Sequence, residues 1–402
     1  MKFAHMSDIH IGGWRDPKLS ELGLEAFKKS IEICIERNID FLLISGDLFD
    51  TSLPSVDRLK AVVAELRKLK ELFIPVYIIA GSHDFSPSGK TMLDVLEEAR
   101  LVINVVKGDV IDNKLKLKFT IDEKTGVKIT GMLGRKGCLE KKFYENLIKH
   151  HLEEETGYKI FMFHSALEEF KPKGLENMEA NPLSLLPKNF DYYAGGHVHY
   201  IFDKKEPGYG LITYPGALFP NNFAELEKYG KGGFYIVEGE ELEWVPVEIY
   251  PHYKINIESN HNSPREIENM ILSKMQDFNN HIVTIRVSGN LENGKVFDID
   301  FHKIFEVAKD KGAYFVMKNT SALKTKEFEE IKVQNIDTKD VENKLIKEHL
   351  GQIKVKGLNV EDEERLTNDM MSLLNLGKQE GEKIVDYEKR MVEGFKALLK
   401  IE

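Results

Sequence analysis

Aspartates and histidines recur in five short motifs within the first half of the chain. They are Asp8-Ile9-His10, Gly46-Asp47-Leu48-Phe49-Asp50, Gly81-Ser82-His83-Asp84, His164 and Gly196-His197-Val198-His199. In an extended segment alternate residues point to the same side, so Asp8 with His10, and His197 with His199, can each grip one site. Carboxylates and imidazoles without cysteine suit manganese or iron and also accept zinc; magnesium fits less well. A single aspartate such as Asp47 can bridge two ions about 3.5–4 Å apart, a spacing that clamps a phosphoryl group and readies a hydroxide.

Taken singly, each motif has a plainer reading. Asp after a strand often turns the chain or caps the next helix, and a lone His164 is more often a satisfied core histidine than a ligand. Their joint order, each at the end of an expected strand, is what favours a metal centre.

Those strands and their helices follow from the apolar pattern. Phe41 to Ile44 is short, unbroken and apolar, as a strand buried on both faces should be, and Gly46 lets the chain turn so that Asp47 emerges at its carboxyl end. Lys2–Met6, Pro75–Ala80, Tyr158–Phe163, Tyr192–Gly195, Leu211–Tyr214, Phe234–Val237 and Leu242–Ile249 read as further strands. Helices are expected from about Ser20 to Asn38, from Pro54-Ser55 through Leu69, from about Lys90 through Ala99, and from Leu139 to His151. The alternation predicts parallel βαβ units. Leu115 and Leu117 among Lys114, Lys116 and Lys118, then Val127 and Ile129, suggest strands with one wet face.

A boundary is expected near Tyr250-Pro251, followed by a small α+β unit with strands at Lys254–Ile257, Ile282–Val287 and Tyr314–Met317. Its first helix starts at Ser263-Pro264-Arg265-Glu266, an N-cap, a first-turn proline and a capping-box acid. From about Ser321 the chain is dense in Lys and Glu. Leu366, Met370 and Leu373, then Ile384, Met391, Phe395 and Leu398, form two helical stripes.

Composition narrows the class. With 402 residues the chain is long enough for two or three domains. Cys34 and Cys138 are its only cysteines, so neither a disulfide framework nor a thiolate cluster is implied. No apolar run approaches a membrane span, and a cytoplasmic protein is expected. The net charge of −10 argues against a simple basic nucleic-acid binder but leaves room for local contacts.

Asp-x-His, Gly-Asp-x-x-Asp, Gly-Asn-His-Asp, His and Gly-His-x-His together mark the calcineurin-like metallophosphoesterases, and the five motifs resemble that set over residues 1 to 216. The opening Lys2 to Gly12, Gly46 to Asp50 and the small unit after residue 250 resemble more narrowly the archaeal meiotic recombination eleven nucleases and the related bacterial SbcD nucleases. The resemblance implies an α/β fold, a metallophosphoesterase β-sandwich flanked by helices. It implies a nuclease domain over 1–250, an α+β DNA-binding cap over 251–320, a polar linker over 321–359 and a helical partner-binding tail over 360–402. In that family Asp8, His10, Asp47 and His199 would hold one Mn²⁺, and Asp47, Ser82, His164 and His197 a second. His83 would serve the leaving group, Asp84 would orient its ring, and Asp50 would support. The family carries Asn where this chain has Ser82, a shorter and poorer donor, and often Ser where it has Ala217.

The resemblance thus implies a Mn-dependent DNA nuclease, exonuclease on duplex ends and endonuclease on single strands, acting in double-strand-break repair. Its partners would be DNA ends, a second copy of the chain and a coiled-coil ABC-type ATPase. Trp14, Arg15, Lys90 and Tyr200 lie near the motifs and are candidate DNA contacts. The alternatives are a phosphoesterase for nucleotides or phosphoproteins, and a non-catalytic scaffold whose second metal site is weakened by Ser82.

Overall fold

A computed structural model of the chain describes residues 1–86, 91–173, 177–325, 360–374, 376–377 and 384–399. It divides into two units, Met1–Thr325 and Lys326–Glu402. The first begins with β1 (Lys2–Met6), α1 (Pro17–Glu36), β2 (Phe41–Ser45), α2 (Val56–Glu71), β3 (Val76–Ile79), α3 (Met92–Glu98) and β4 (Ile103–Asn104). A hairpin of β5 (Gly108–Ile111) and β6 (Lys114–Leu117) precedes β7 (Thr120–Ile121), β8 (Lys128–Met132), α4 (Lys141–Glu145) and α5 (His150–Glu153). Then come β9 (Lys159–His164), β10 (Tyr192–Gly196), β11 (Phe202–Lys205), β12 (Leu211–Tyr214), α6 (Phe223–Tyr229), β13 (Gly232–Glu238) and β14 (Glu241–Val247).

These strands build two six-stranded sheets, ordered β14-β13-β1-β2-β3-β4 and β11-β12-β10-β9-β8-β7. β1 to β4 pair in parallel, as do β8, β9, β10 and β12, while β13, β14, β11 and β7 join antiparallel. The sheets pack face to face. Phe3, Phe41, Leu43, Tyr77 and Ile79 meet Ile129, Ile160, Met162, Tyr192 and Ala194 between them. The intervening Leu42 and Ile44 face the other way, onto Phe27 and Ile31 of α1 and Leu66 and Leu69 of α2. β2 therefore buries both faces, which is why its sequence is a continuous apolar run. Each such side chain contributes roughly 1.5–3 kcal/mol on burial. The outer face of the second sheet is covered by short helices and loops instead, through Tyr144, Leu152, Phe170, Leu186 and Phe190.

Two expectations change here. The helix expected from Leu139 to His151 is broken into α4 and α5, because Leu115 N–H donates to Asn146 O and Ile148 N–H to Leu115 O. The hairpin edge takes up backbone groups that a continuous helix would have used. β11 was hidden from the apolar pattern because Asp203, Lys204 and Lys205 are an exposed edge.

After Tyr250-Pro251 the cap follows as β15 (His252–Asn262), α7 (Pro264–Ser273), β16 (Ile282–Leu291), α8 (Phe301–Asp310) and β17 (Phe315–Lys324). Its three strands pair in parallel, in the order β15-β16-β17. Ser263 and Glu266 form the expected capping box at α7. The last strand runs to Lys324, past the boundary expected at residue 320, because Ala322, Leu323 and Lys324 still pair with Ser288, Gly289 and Asn290. The rest of the expected linker, residues 326–359, lies outside the described residues.

In the second unit α9 (Val360–Leu374) and α10 (Ile384–Leu399) carry the two expected stripes. Leu373 packs against Gly394, and the Arg390 guanidinium donates to Gly377 O. No helix among the described residues is long and apolar enough to cross a membrane.

Candidate metal centre

The carboxyl ends of β1, β2, β3, β9 and β10 open onto one edge of the sandwich, and the five motifs follow them directly. The chain leaves these strands abruptly. Asp8, His10, Asp47 and His197 all have positive φ, at 51°, 47°, 53° and 86°. Left-handed backbone at non-glycine residues costs on the order of 1–3 kcal/mol each and persists only where the surroundings impose it. Gly46, with φ 87°, could carry no side chain, since a Cβ would sit 2.3 Å from His164 Nδ1.

This geometry alters one expectation. Asp8 and His10 do meet in one donor group, though from left-handed rather than extended backbone, whereas His197 and His199 do not share one. The two imidazoles of the second motif go separate ways. His199 Nε2 faces His10 Nε2 at 3.2 Å, while the His197 ring lies beside His164, 5.3 Å between centroids.

Around Asp47 the groups converge. Its Oδ2 lies 3.1 Å from His164 Nε2, 3.4 Å from Ser82 Oγ and 3.7 Å from His10 Nε2, and its Oδ1 accepts from His83 N–H at 2.7 Å. Asp8 Oδ1 lies 3.6 Å from His199 Nε2 and 4.0 Å from His10 Nε2, and the His197 N–H donates to the same carboxylate. Three donor groups result, Asp8–His10–His199, Asp8–Asp47–His164 and His10–Asp50–His83, with Asp47 beside the first and Ser82 and His197 beside the second.

A further layer sets which nitrogen faces inward. His164 Nδ1 donates to Ser45 O at 2.8 Å, leaving Nε2 for the site. His10 Nδ1 lies 3.3 Å from Asp50 Oδ1. His199 Nδ1 lies 2.8 Å from Glu225 Oε1 on α6. Glu225 was missed in the sequence, although Asn222 and Glu225 carry the spacing of a helix start, and Asn222 does cap α6. The carboxylate reaches back to Asn221 N–H with one oxygen and to His199 with the other.

Asp84 differs from expectation. Its carboxylate accepts from the backbone N–H groups of Leu48, Phe49 and Gly81 at 3.1–3.2 Å, stitching the β2 and β3 loops together. The His83 ring is held by Asp50 instead, Nδ1 donating to its carbonyl oxygen at 2.7 Å. Among the candidate DNA contacts, Tyr200 is buried against Phe202 and Tyr214 with its hydroxyl on Phe170 O, which removes it from any surface role. The Trp14 indole N–H is committed to Pro220 O, Arg15 is exposed, and Lys90 lies outside the described residues.

The charges call for cations. Asp8 and Asp47 are almost wholly buried. Against burial, which alone would lower it, Asp47 pushes His164 up to about 9, and Asp8 and Glu225 push His199 well above the usual imidazole range. Burial, helped by the neighbouring His164, lowers His197 to about 4. Burial and Asp47 push Asp84 up to about 6 despite its three backbone donors. Two Nε2 atoms at 3.2 Å, each with its Nδ1 beside a carboxylate, aim their free positions at one point next to buried carboxylates. That donor set fits divalent metal ions.

Residues 1–200 match the calcineurin-like phosphoesterase family. The chain is 30% identical over 288 residues to the DNA double-strand break repair protein Mre11 of Archaeoglobus fulgidus, an alignment covering 64% of this chain and 62% of that one. The protein of the same name from Methanococcus maripaludis is 31% identical over 249 residues, covering 59% and 62%. The one from Methanocaldococcus jannaschii is 28% identical over 363 residues, covering 87% and 89%. The chain thus spans about three-fifths of the first two relatives and nearly nine-tenths of the third.

Proposed function

The chain belongs to the Mre11/SbcD-type family of calcineurin-like phosphoesterases, and on that footing we propose that it is a manganese-dependent DNA nuclease of double-strand-break repair. It cuts duplex ends as an exonuclease and single strands as an endonuclease. The observation that carries the reading is Asp47, a buried carboxylate with His10, His164, Ser82 and the His83 backbone around its two oxygens.

Asp8, His10, Asp47 and His199 would hold one ion, and Asp47, Ser82, His164 and His197 the other. Bound there, the ions supply Lewis acidity at the phosphate and a hydroxide at neutral pH. His83 has the more exposed ring, its side chain 34% accessible against 3% for His10 and 0% for His164. With its Nδ1 donating to the Asp50 carbonyl, its Nε2 is the nitrogen free to give a proton to the leaving oxygen. Asp50 and Glu225 orient His10 and His199, and Asp84 fixes the loops that carry Asp47 and His83. Ser82, already donating to Asp47, keeps its hydroxyl at the second group of donors.

The division of labour follows the same reading. Residues 1–250 carry the chemistry, the cap over 251–320 engages DNA, 321–359 link, and 360–402 dock on the coiled coil of an ABC-type ATPase. Two copies pair through α2 and α3, whose surroundings leave Leu53, Val56 and Val95 largely exposed; a monomeric mass by light scattering at micromolar concentration would contradict this. Trp14 and Arg15 remain at the mouth of the site as contacts to the DNA backbone.

The test sets blunt duplex DNA and circular single-stranded DNA beside a nucleoside monophosphate, each with Mn²⁺, Mg²⁺ or chelator. Mn²⁺-dependent shortening of the duplex and nicking of the circle is the expected result. Release of phosphate from the monoester with no cleavage of either DNA would replace the reading with a small-molecule phosphoesterase.

A further inference from the structure

Arg135 stands out among the charged residues near the metal centre. It follows β8 on the same edge of the sandwich, one residue after Gly134. Gly134 approaches the His164 ring so closely that a Cβ would meet its Cδ2 at 2.5 Å, and its N–H donates to Ala80 O. The Arg135 guanidinium carbon lies 4.3 Å from the centroid of Phe85, which directly follows His83-Asp84, and 5.1 Å from that of Phe143 on α4. The cation is thus held against two aromatic faces beside the loop that carries His83.

An arginine so placed normally has a carboxylate. Here the available one is used elsewhere. Glu140, nearly fully buried, accepts from the Arg135 backbone N–H at 3.1 Å with one oxygen and from Asn181 Nδ2 with the other. No carboxylate among the described residues lies within ion-pair distance of the guanidinium, and its Nε is buried without a hydrogen-bond partner. In a chain of net charge −10, an arginine without an ion-pair partner among the described residues stands out from the overall charge balance. Fixing a guanidinium beforehand reduces the entropy lost when it binds, and its planar fork matches phosphate.

Resting on the nuclease reading, we propose that Arg135 is a substrate contact, donating to the non-bridging oxygens of a nucleic-acid phosphate that lies beside His83 and His164. Phe85 and Phe143 are its positioning residues. Lys136, Lys141 and Lys142 follow on the same loop and α4 and extend the contact along the backbone.

The test uses the full chain and a fluorescein-labelled duplex in chelator, with affinity measured by anisotropy across a salt series. Arg135→Ala and Arg135→Gln are expected to weaken binding about tenfold at low salt and to make the slope of log affinity against log salt shallower by about one. Arg135→Lys, which keeps the charge but not the fork, restores the slope and only part of the affinity. Equal affinity and slope in all four proteins overturns the inference and leaves the nuclease reading standing. Affinity lost with the slope unchanged also overturns it, since Arg135 would then only pack the loop. A wild-type chain that neither binds nor cleaves DNA overturns the nuclease reading itself.

Discussion

At the scale of single residues, the imidazoles divide by what holds their second nitrogen. His10, His164 and His199 each have Nδ1 beside an oxygen and Nε2 turned to the buried carboxylates, whereas His83, its Nδ1 on the Asp50 carbonyl, meets Asp47 through its backbone N–H. Replacing the His83 ring should therefore leave the ligand set whole. His83→Ala is expected to retain its Mn²⁺ content by elemental analysis and its affinity for DNA, while turnover falls by about a hundredfold to ten-thousandfold. Loss of bound Mn²⁺ in the variant would show that the ring is a ligand. His5 supplies a separate test of the buried polar layer between the sheets. It is fully buried against Tyr192 and Thr213, and burial lowers it to about 3. Its folded value lies below the unfolded one, so the unfolded chain takes up the proton first. The stability from the neutral ring is complete above about pH 6.5 and is lost as the pH falls toward 3. Between pH 7 and pH 5 the wild type should lose about 2 kcal/mol more than His5→Gln, measured by urea unfolding in chelator. Parallel losses in the two proteins would refute this.

At the scale of elements, the apolar runs were a sound guide wherever a strand is buried on both faces. β1, β2, β3, β9 and β10 were legible because their side chains serve two cores, and the metal motifs were legible because each sits within a few residues of such a run. What the sequence hid depends on contacts between distant segments. Asp84 looks like a partner for its neighbour His83, yet three backbone N–H groups, two of them from the β2 loop, reach its carboxylate first. Glu225 is invisible as a partner of His199 until α6 is placed beneath it. Asp-x-His looks like an extended pair because nothing in the spacing reveals that Asp8 and His10 both turn left-handed. The tail helices offer the element-scale prediction. α9 and α10 meet at Leu373 and Gly394 but leave Leu374, Val385 and Val392 more than half exposed. Two short helices bury too little to be stable as a unit of their own, and such a stripe suits a partner helix. Deleting the residues after Asn359 should preserve Mn²⁺-dependent cleavage of single-stranded DNA and abolish stable binding to the ATPase partner on size exclusion. A truncated chain that still co-elutes with the ATPase would contradict the docking role.

At the scale of the whole molecule, the sandwich packs two mixed sheets face to face so that five strand ends share one rim. The proposed ligand set draws on both sheets: Asp8, His10, Asp47 and Ser82 follow strands of the first, and His164, His197 and His199 belong to or follow strands of the second. Ser45 O and the Asp8 carboxylate of the first sheet also hold His164 and His197 of the second. On the proposed function, a chain of net charge −10 would neutralise a polyanion locally, through ions held at this rim. Everything then converges on Asp47, the one side chain assigned to both ions. The most direct measurement is the rate at which Asp47→Ala, shown to be folded by its circular dichroism and melting transition, shortens blunt duplex DNA in saturating Mn²⁺. The expected rate is indistinguishable from the chelator control. A rate near that of the wild type would contradict a shared carboxylate and, with it, the two-metal nuclease.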